Sequence, residues 1–365
     1  MKPIQVNEQF KDVKIARILL ERINLNKDEF SFMEVCGTHT VQIFKTGIRT
    51  GLNSNIKLLS GPGCPVCVTS VRDIDKAITI AGSKDFILCC FGDMLRVPGT
   101  SLSLEKAKGE LAANVKIMYS PIEALELAEK SPSKKIVMFG VGFETTIPAF
   151  AAVLIRAREK KLKNLYIYSV FKLIPPAIRT LLESKYINID GFILPGHVST
   201  IIGSGEYRFI AEEFQKPAVI TGFEVVDILE GILFLSDMAR NKQAQIKIEY
   251  SRSVNPEGNK LAMEKIYSVF EKTDVEWRGL GKIRQSGLKL RGAFRDFDID
   301  NVLDIKLKSP EENPQCICGD VIKGMSTPLD CKLYAKECTP ENPVGPCMVS
   351  SEGTCAAFYK YGAKS

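Results

Sequence analysis

The chain has 365 residues, with 49 Lys and Arg against 43 Asp and Glu, two His and eleven Cys. Domains usually run to ~100–150 residues, so a chain of this length predicts two or three hydrophobic cores rather than one. Hydrophobic residues at 45% and charged residues at 25% are ordinary globular composition, and a net charge of +6 without a basic run or interleaved aromatics argues against a nucleic-acid partner.

The N-terminal residues lack the apolar stretch of a secretory signal. The longest apolar run, near 147–155, falls far short of the ~20 residues that cross a bilayer. The expectation is a cytoplasmic protein with no membrane partner. In a reducing compartment, eleven Cys at patterned spacings point to metal or redox chemistry rather than structural disulfides.

Short apolar, β-rich runs predict strands at 30–35, 56–60, 86–91, 115–119, 135–139, 165–170, 191–194 and 218–221. Most are apolar on both faces, as strands covered by helices on both sides are. Helices are expected between them. The segment 73–81 is amphipathic, and 121–130 opens with Pro and closes with Lys, as the helix dipole prefers. The segment 147–161 follows Thr145 and Thr146, either a suitable N-cap, and ends in Arg and Lys. Longer helices are expected at 224–240 and 256–272. The βαβα order implies parallel sheets and right-handed crossovers. The expected fold class is therefore α/β, with one parallel-sheet domain over 1–130 and a second over 131–275. The pattern changes after about 275, and from 309 onward Pro, Gly and Cys dominate. A small Cys-rich domain over 276–365 should be held together by its cysteines.

Gly-rich loops follow the candidate strands. They are Cys36-Gly37-Thr38-His39-Thr40, Gly61-Pro62-Gly63-Cys64-Pro65-Val66-Cys67, Phe91-Gly92-Asp93-Met94 with Arg96-Val97-Pro98-Gly99-Thr100, and Gly140-Val141-Gly142-Phe143-Glu144-Thr145-Thr146. Pro195-Gly196-His197-Val198-Ser199 and Thr221-Gly222-Phe223-Glu224 come later in the same way. Ligands of open α/β sheets bind beyond the carboxyl ends of strands, so these loops should converge on one edge or cleft. Cys64-x-x-Cys67 beside a βα turn reads as a redox dithiol or a pair of metal ligands, with thiol pKa values lowered by the following helix. Cys36 is a candidate third sulfur. Cys89 and Cys90 sit inside an apolar strand and read as buried hydrophobes. His39 and His197 are either core residues or proton carriers beside a thiol. Asp93, Glu144 and Glu224 are either general bases and orienters or simply N-caps. Nucleotide binding is disfavoured, because Gly61–Cys67 lacks the Lys-Ser/Thr of a P-loop and Gly140-Val141-Gly142 lacks a third Gly.

Cys316, Cys318, Cys331, Cys338, Cys347 and Cys355 crowd the tail. Thiolates serve both zinc and iron–sulfur clusters. The tail has one C-x-C pair and then widely spaced single Cys, without the paired knuckles of a zinc ribbon. Such spacing favours a cluster gripped from several loops, with two sulfurs to spare. Zinc, or no metal, remains the alternative.

Together these motifs, with the closing Val349-Ser350-Ser351-Glu352-Gly353-Thr354-Cys355, resemble the HypD family of hydrogenase maturation factors over nearly the whole chain. The resemblance implies two α/β domains flanking a cleft and a small iron–sulfur domain. It implies a redox-active scaffold for building the Fe(CN)2CO unit of [NiFe] hydrogenases, with a HypC-type chaperone and a HypE-type cyanide donor as partners. Cys36, Cys64 and Cys67 would be the sulfurs near the assembling iron. Cys316, Cys331, Cys338 and Cys355 would ligate a [4Fe–4S] cluster, and Cys318 and Cys347 would form a redox-active pair, an arrangement similar to ferredoxin–thioredoxin reductase. The competing classes are a thiol–disulfide oxidoreductase acting on proteins and a zinc-stapled binding module. Whether the chain is itself an enzyme stays open.

Overall fold

The computed structural model describes residues 9–184, 187–305, 307 and 309–362. All eight expected strands form: β1 Phe30–Glu34, β2 Ile56–Ser60, β3 Phe86–Cys90, β4 Val115–Ile117, β5 Lys135–Gly140, β6 Leu165–Ser169, β7 Gly191–Pro195 and β8 Ala218–Thr221. A short β9, Ile246–Ile248, and the strands β10, Phe270–Trp277, and β11, Gly281–Leu290, were not expected. The expected helix over 256–272 is shorter, Lys260–Val269, and its last residues turn into β10. That strand alternates buried or half-buried with exposed residues, and its exposed Lys and Glu resemble a helical surface when only the sequence is read.

The strands make two wholly parallel sheets and one antiparallel hairpin. The first sheet runs β2-β1-β7-β8-β9 and the second β4-β3-β5-β6. The chain therefore starts in the first sheet, builds the whole second sheet and returns. The expected boundary at 130/131 does not separate the sheets, because β4 and β5 both pair with β3. Strand pairing, which local sequence does not encode, decides this. The β10–β11 hairpin closes the β6 side of the second sheet. Ser169 Oγ donates to Leu288 O at 2.7 Å and Leu173 N to Ser286 O at 2.8 Å.

Burial follows the two-sided pattern. Ile136, Val137, Met138 and Phe139 of β5 and Phe192, Ile193 and Leu194 of β7 are wholly buried, each worth about 2 kcal/mol of transfer free energy. The helix Val71–Gly82, N-capped by Ser70, turns Ile74, Ala77, Ile78 and Ala81 onto this core. Pro121–Lys130 begins with a Ser120–Glu123 capping box, which satisfies N–H groups that would otherwise be orphaned.

Strand order reverses between β1 and β7 in the first sheet and between β3 and β5 in the second. These are topological switch points, where loops leave the carboxyl ends in opposite directions and open a crevice. Cys36–Thr40 follows β1 and Gly196–Ser199 follows β7. Gly92–Met94 follows β3 and Val141–Thr146 follows β5. Four of the expected motif loops thus stand at crevices created by the topology.

Candidate redox and iron site

Cys36 is the N-cap of the helix Gly37–Lys45, so Thr38, His39 and Thr40 belong to a first helical turn rather than to a loop. Gly37 N–H donates to Gly63 O at 2.9 Å, which sets the Cys36 segment against Gly61–Cys67. A Cβ on Gly63 would lie 2.2 Å from Cys36 N, so only Gly allows this approach. Cys64 and Cys67 are joined as a disulfide, with Cα atoms 5.3 Å apart. They lie in a turn ahead of Ser70, the cap of the next helix. The helix N-terminus expected to lower their pKa values therefore serves Ser70 and Asp73 instead. Burial pushes the Cys36 thiol up to about 11, against the pull of the His39 and Thr38 N–H groups.

His39 is wholly buried. Its Nε2 lies 2.8 Å from Gly222 O and 3.0 Å from Thr221 Oγ1, which brings the helix after β1 to the loop after β8. Gly222 O can only accept, so Nε2 carries the proton and Nδ1 is bare, with no partner among the described residues. Desolvation lowers the His39 pKa to about 4, so the ring is neutral at pH 7. The Phe223 ring stacks on His39 at 4.8 Å and on His197 at 4.0 Å. His197 is exposed, in the helix Gly196–Ile202.

The remaining expected acids divide. Asp93 Oδ2 accepts from Ser350 Oγ at 3.3 Å, tying the loop after β3 to the tail. Glu224 is an N-cap, of Val225–Arg240, and pairs with Lys11 at 3.5 Å. Glu144 turns away from the sulfurs. It accepts from Ile174 N at 2.9 Å, at the start of the helix Ile174–Glu183, and lines a separate cavity of about 580 Å³ with Arg179, Tyr267 and Lys272. Burial pushes its pKa up to about 7.

Three further contributors were not singled out from the sequence, although Glu352 lies within the closing motif. Glu352 accepts from Thr38 Oγ1 at 2.7 Å, 314 positions away in sequence. Glu34, wholly buried in β1, accepts from Ser60 Oγ at 2.6 Å and faces Arg49 at 3.4 Å, bracing the strand that ends at Cys36. Glu249 Oε2 accepts from Gly222 N at 2.9 Å and steadies the loop that holds His39.

The six tail cysteines line one cavity of about 20 Å³ with Ile317, Val321, Leu333, Tyr334 and Met348. No carboxylate or imidazole is among these lining residues. This soft, all-thiol donor set fits an iron–sulfur cluster, which four thiolates hold. Among the described residues the thiols ring the cavity without any three His, Cys, Asp or Glu meeting to hold a single metal ion. Val344 N–H donates to Cys338 Sγ at 3.4 Å. A hydrogen bond from Cys347 lowers the pKa of Cys318, while the same bond holds Cys347 high. The two sites touch, because Cys67 Sγ lies 3.8 Å from the carbonyl oxygen of Pro346, the neighbour of Cys347.

Against known proteins, the family model HypD, described as "Hydrogenase formation hypA family", matches residues 14–362. The chain belongs to the HypD family of hydrogenase maturation factors. It is 43% identical to Hydrogenase maturation factor HypD2 of Bradyrhizobium diazoefficiens, over 97% of this chain and 96% of that one. It is 41% identical to Hydrogenase maturation factor HypD of Rhodobacter capsulatus, over 97% of each chain, and 38% identical to that of Cupriavidus necator, over 97% and 96%. Among the described residues of this HypD-family chain, no helix is long and apolar enough to cross a membrane.

Proposed function

We propose that this chain is the scaffold on which the Fe(CN)2CO unit of [NiFe] hydrogenases is assembled, with a HypC-type chaperone and a HypE-type cyanide donor as partners. The iron is cargo, and Cys36, Cys64 and Cys67 receive it. Thiolates are the soft, electron-rich donors that an iron carrying cyanide and carbon monoxide needs. Receiving iron requires the Cys64–Cys67 bond to open, which takes two electrons and two protons. The Cys318/Cys347 dithiol supplies both by exchange: its own S–S bond forms as that of Cys64–Cys67 breaks. A [4Fe–4S] cluster on Cys316, Cys331, Cys338 and Cys355 supplies single electrons from an external reductant when bound. His39, neutral and locked onto Gly222, orients the Cys36 helix. His197, exposed beside Phe223, exchanges protons with solvent. Asp93 holds the tail through Ser350, and Glu144 is a buried acid able to change charge near neutral pH. Glu224 keeps a structural role.

The single observation carrying this reading is the contact of Cys67 with Pro346 beside Cys347, which supports electron delivery from tail to crevice. The test is infrared spectroscopy of the chain purified without oxygen alongside its partners. Bands of metal-bound cyanide and carbon monoxide are expected, and Cys67→Ala should lose them. Normal bands in that variant would remove Cys67 as a ligand. The Cys64–Cys67 disulfide also favours a second reading, an iron–sulfur thiol–disulfide oxidoreductase acting on proteins. Disulfide reduction in a protein substrate without those bands would select it.

A further inference from the structure

Arg278 occupies the turn of the β10–β11 hairpin and is only 6% exposed. Among the described residues it pairs with the carboxylate of Glu312, with Nε 3.3 Å from Oε2, and that side chain is 51% exposed. Arg278 Nη1 is buried with no hydrogen-bond partner among the described residues. A buried guanidinium is costly unless an anion compensates it and its N–H groups are bonded. Glu312, held at the surface, meets only part of that demand. Nη1 is left on the buried side as a donor open to an anion.

Two contacts say where that side is. Arg278 N–H donates to Val68 O at 2.9 Å, one residue beyond Cys67. Gly279, at φ +79°, sits so close to Gly319 that a Cβ would lie 2.5 Å from its Cα, and Gly319 follows Cys318. The hairpin tip is therefore wedged between the Cys64–Cys67 turn and the start of the tail's cysteine set.

We propose that Arg278 is the buried counter-charge of the tail's cluster, a positioning residue that sets the cluster's reduction potential. The inference rests on the reading that Cys316, Cys331, Cys338 and Cys355 hold a [4Fe–4S] cluster. Four thiolates give such a cluster net negative charge, and reduction adds one electron more. A fixed cation in a poorly solvated site stabilises the reduced form more than the oxidised one. With Arg278 in place, the cluster takes an electron from a milder external donor.

The experiment is a potentiometric titration with dithionite of the anaerobically purified full chain, followed by visible absorption and EPR, with iron and sulfide measured on each sample. Arg278→Gln should make reduction about tenfold less favourable, a midpoint lower by about 59 mV for one electron. Arg278→Lys, which keeps the charge, should recover most of that change. Glu312→Gln, at the surface, frees the cation from its carboxylate and should move the midpoint the other way. Arg284→Gln, an exposed cation of the same hairpin, should leave it unchanged. An unaltered midpoint in cluster-loaded Arg278→Gln overturns the proposal. Should that variant not fold, an unaltered midpoint in Glu312→Gln overturns it equally. Wild-type protein without sulfide refutes the cluster itself, and the Arg278 role falls with it.

Discussion

Cys36, Cys64 and Cys67 hang from the carboxyl ends of strands whose neighbours are fully buried, Phe32 and Met33 before Cys36 and Val68 after Cys67. The six tail cysteines are divided. Cys318 and Cys347 join the main core beside Cys64 and Cys67, whereas Cys338 is buried with Leu333 and Met348 in a small cluster of the tail's own. A thiol on a strand-end turn is held by backbone hydrogen bonds and a large core, so it can open and close without loss of the fold. Tail thiols are themselves much of what the tail can be organised around. On the proposed reading, the same side chain is cargo site in one region and structural clip in the other.

The largest expected effect breaks that contrast directly. Cys338→Ala should abolish the visible spectrum of the proposed cluster and make the tail the first site of limited proteolysis. The thermal transition of the sheets should shift little. Joint melting of sheets and tail would show that the tail also supports the crevice.

A pH series probes the strand-end region alone. Burial raises Glu144 from 4.5 to about 7 in the folded state, so folding favours its protonated form. That contribution is complete below 4.5 and is lost as pH rises through 7, a span worth at most roughly 3 kcal/mol. Glu144→Gln should therefore show a flatter stability profile across that window in urea titrations. An unchanged slope would place the wild-type pH dependence elsewhere.

Gly63→Ala tests the close approach under Cys36. Its Cβ would meet Cys36 N at 2.2 Å and Cα at 2.4 Å, both backbone atoms that cannot rotate away. A loss of about 2 kcal/mol is expected in urea unfolding, with the tail spectrum intact. The smallest effect belongs to the seam between the regions. Thr38→Val removes the 2.7 Å hydrogen bond to Glu352. It should cost about 1 kcal/mol, seen as faster hydrogen exchange near 350–355 while the sheets stay protected.

Much of this was legible in the residues. Two-sided apolar runs marked eight of the nine strands of the parallel sheets, and β9 was overlooked. At three residues, all half-buried, it is too short to show a period. The hairpin escaped because Glu, Lys and Arg on its outer face alternate with inward residues at a spacing that blends with the preceding helix. Cys and Gly motifs pointed to the crevice loops. Glu34, Glu249 and Glu352 did not stand out, since an acidic residue reveals its role only when its partner is known. Glu144 looked like a member of the crevice because it follows β5, yet its side chain goes to Ile174 N.

By itself the sequence determined the α/β class, the strand-end position of the motif loops and the thiol-rich character of the tail. These are local properties, read from hydrophobic period, turn residues and ligand chemistry. Which strands share a sheet was decided by tertiary structure alone, and so was the meeting of Cys67 with the tail at Pro346. So too was the burial of Arg278 between the two sulfur sites. Pairing energies depend on residues brought together across hundreds of positions, and no local pattern carries that information.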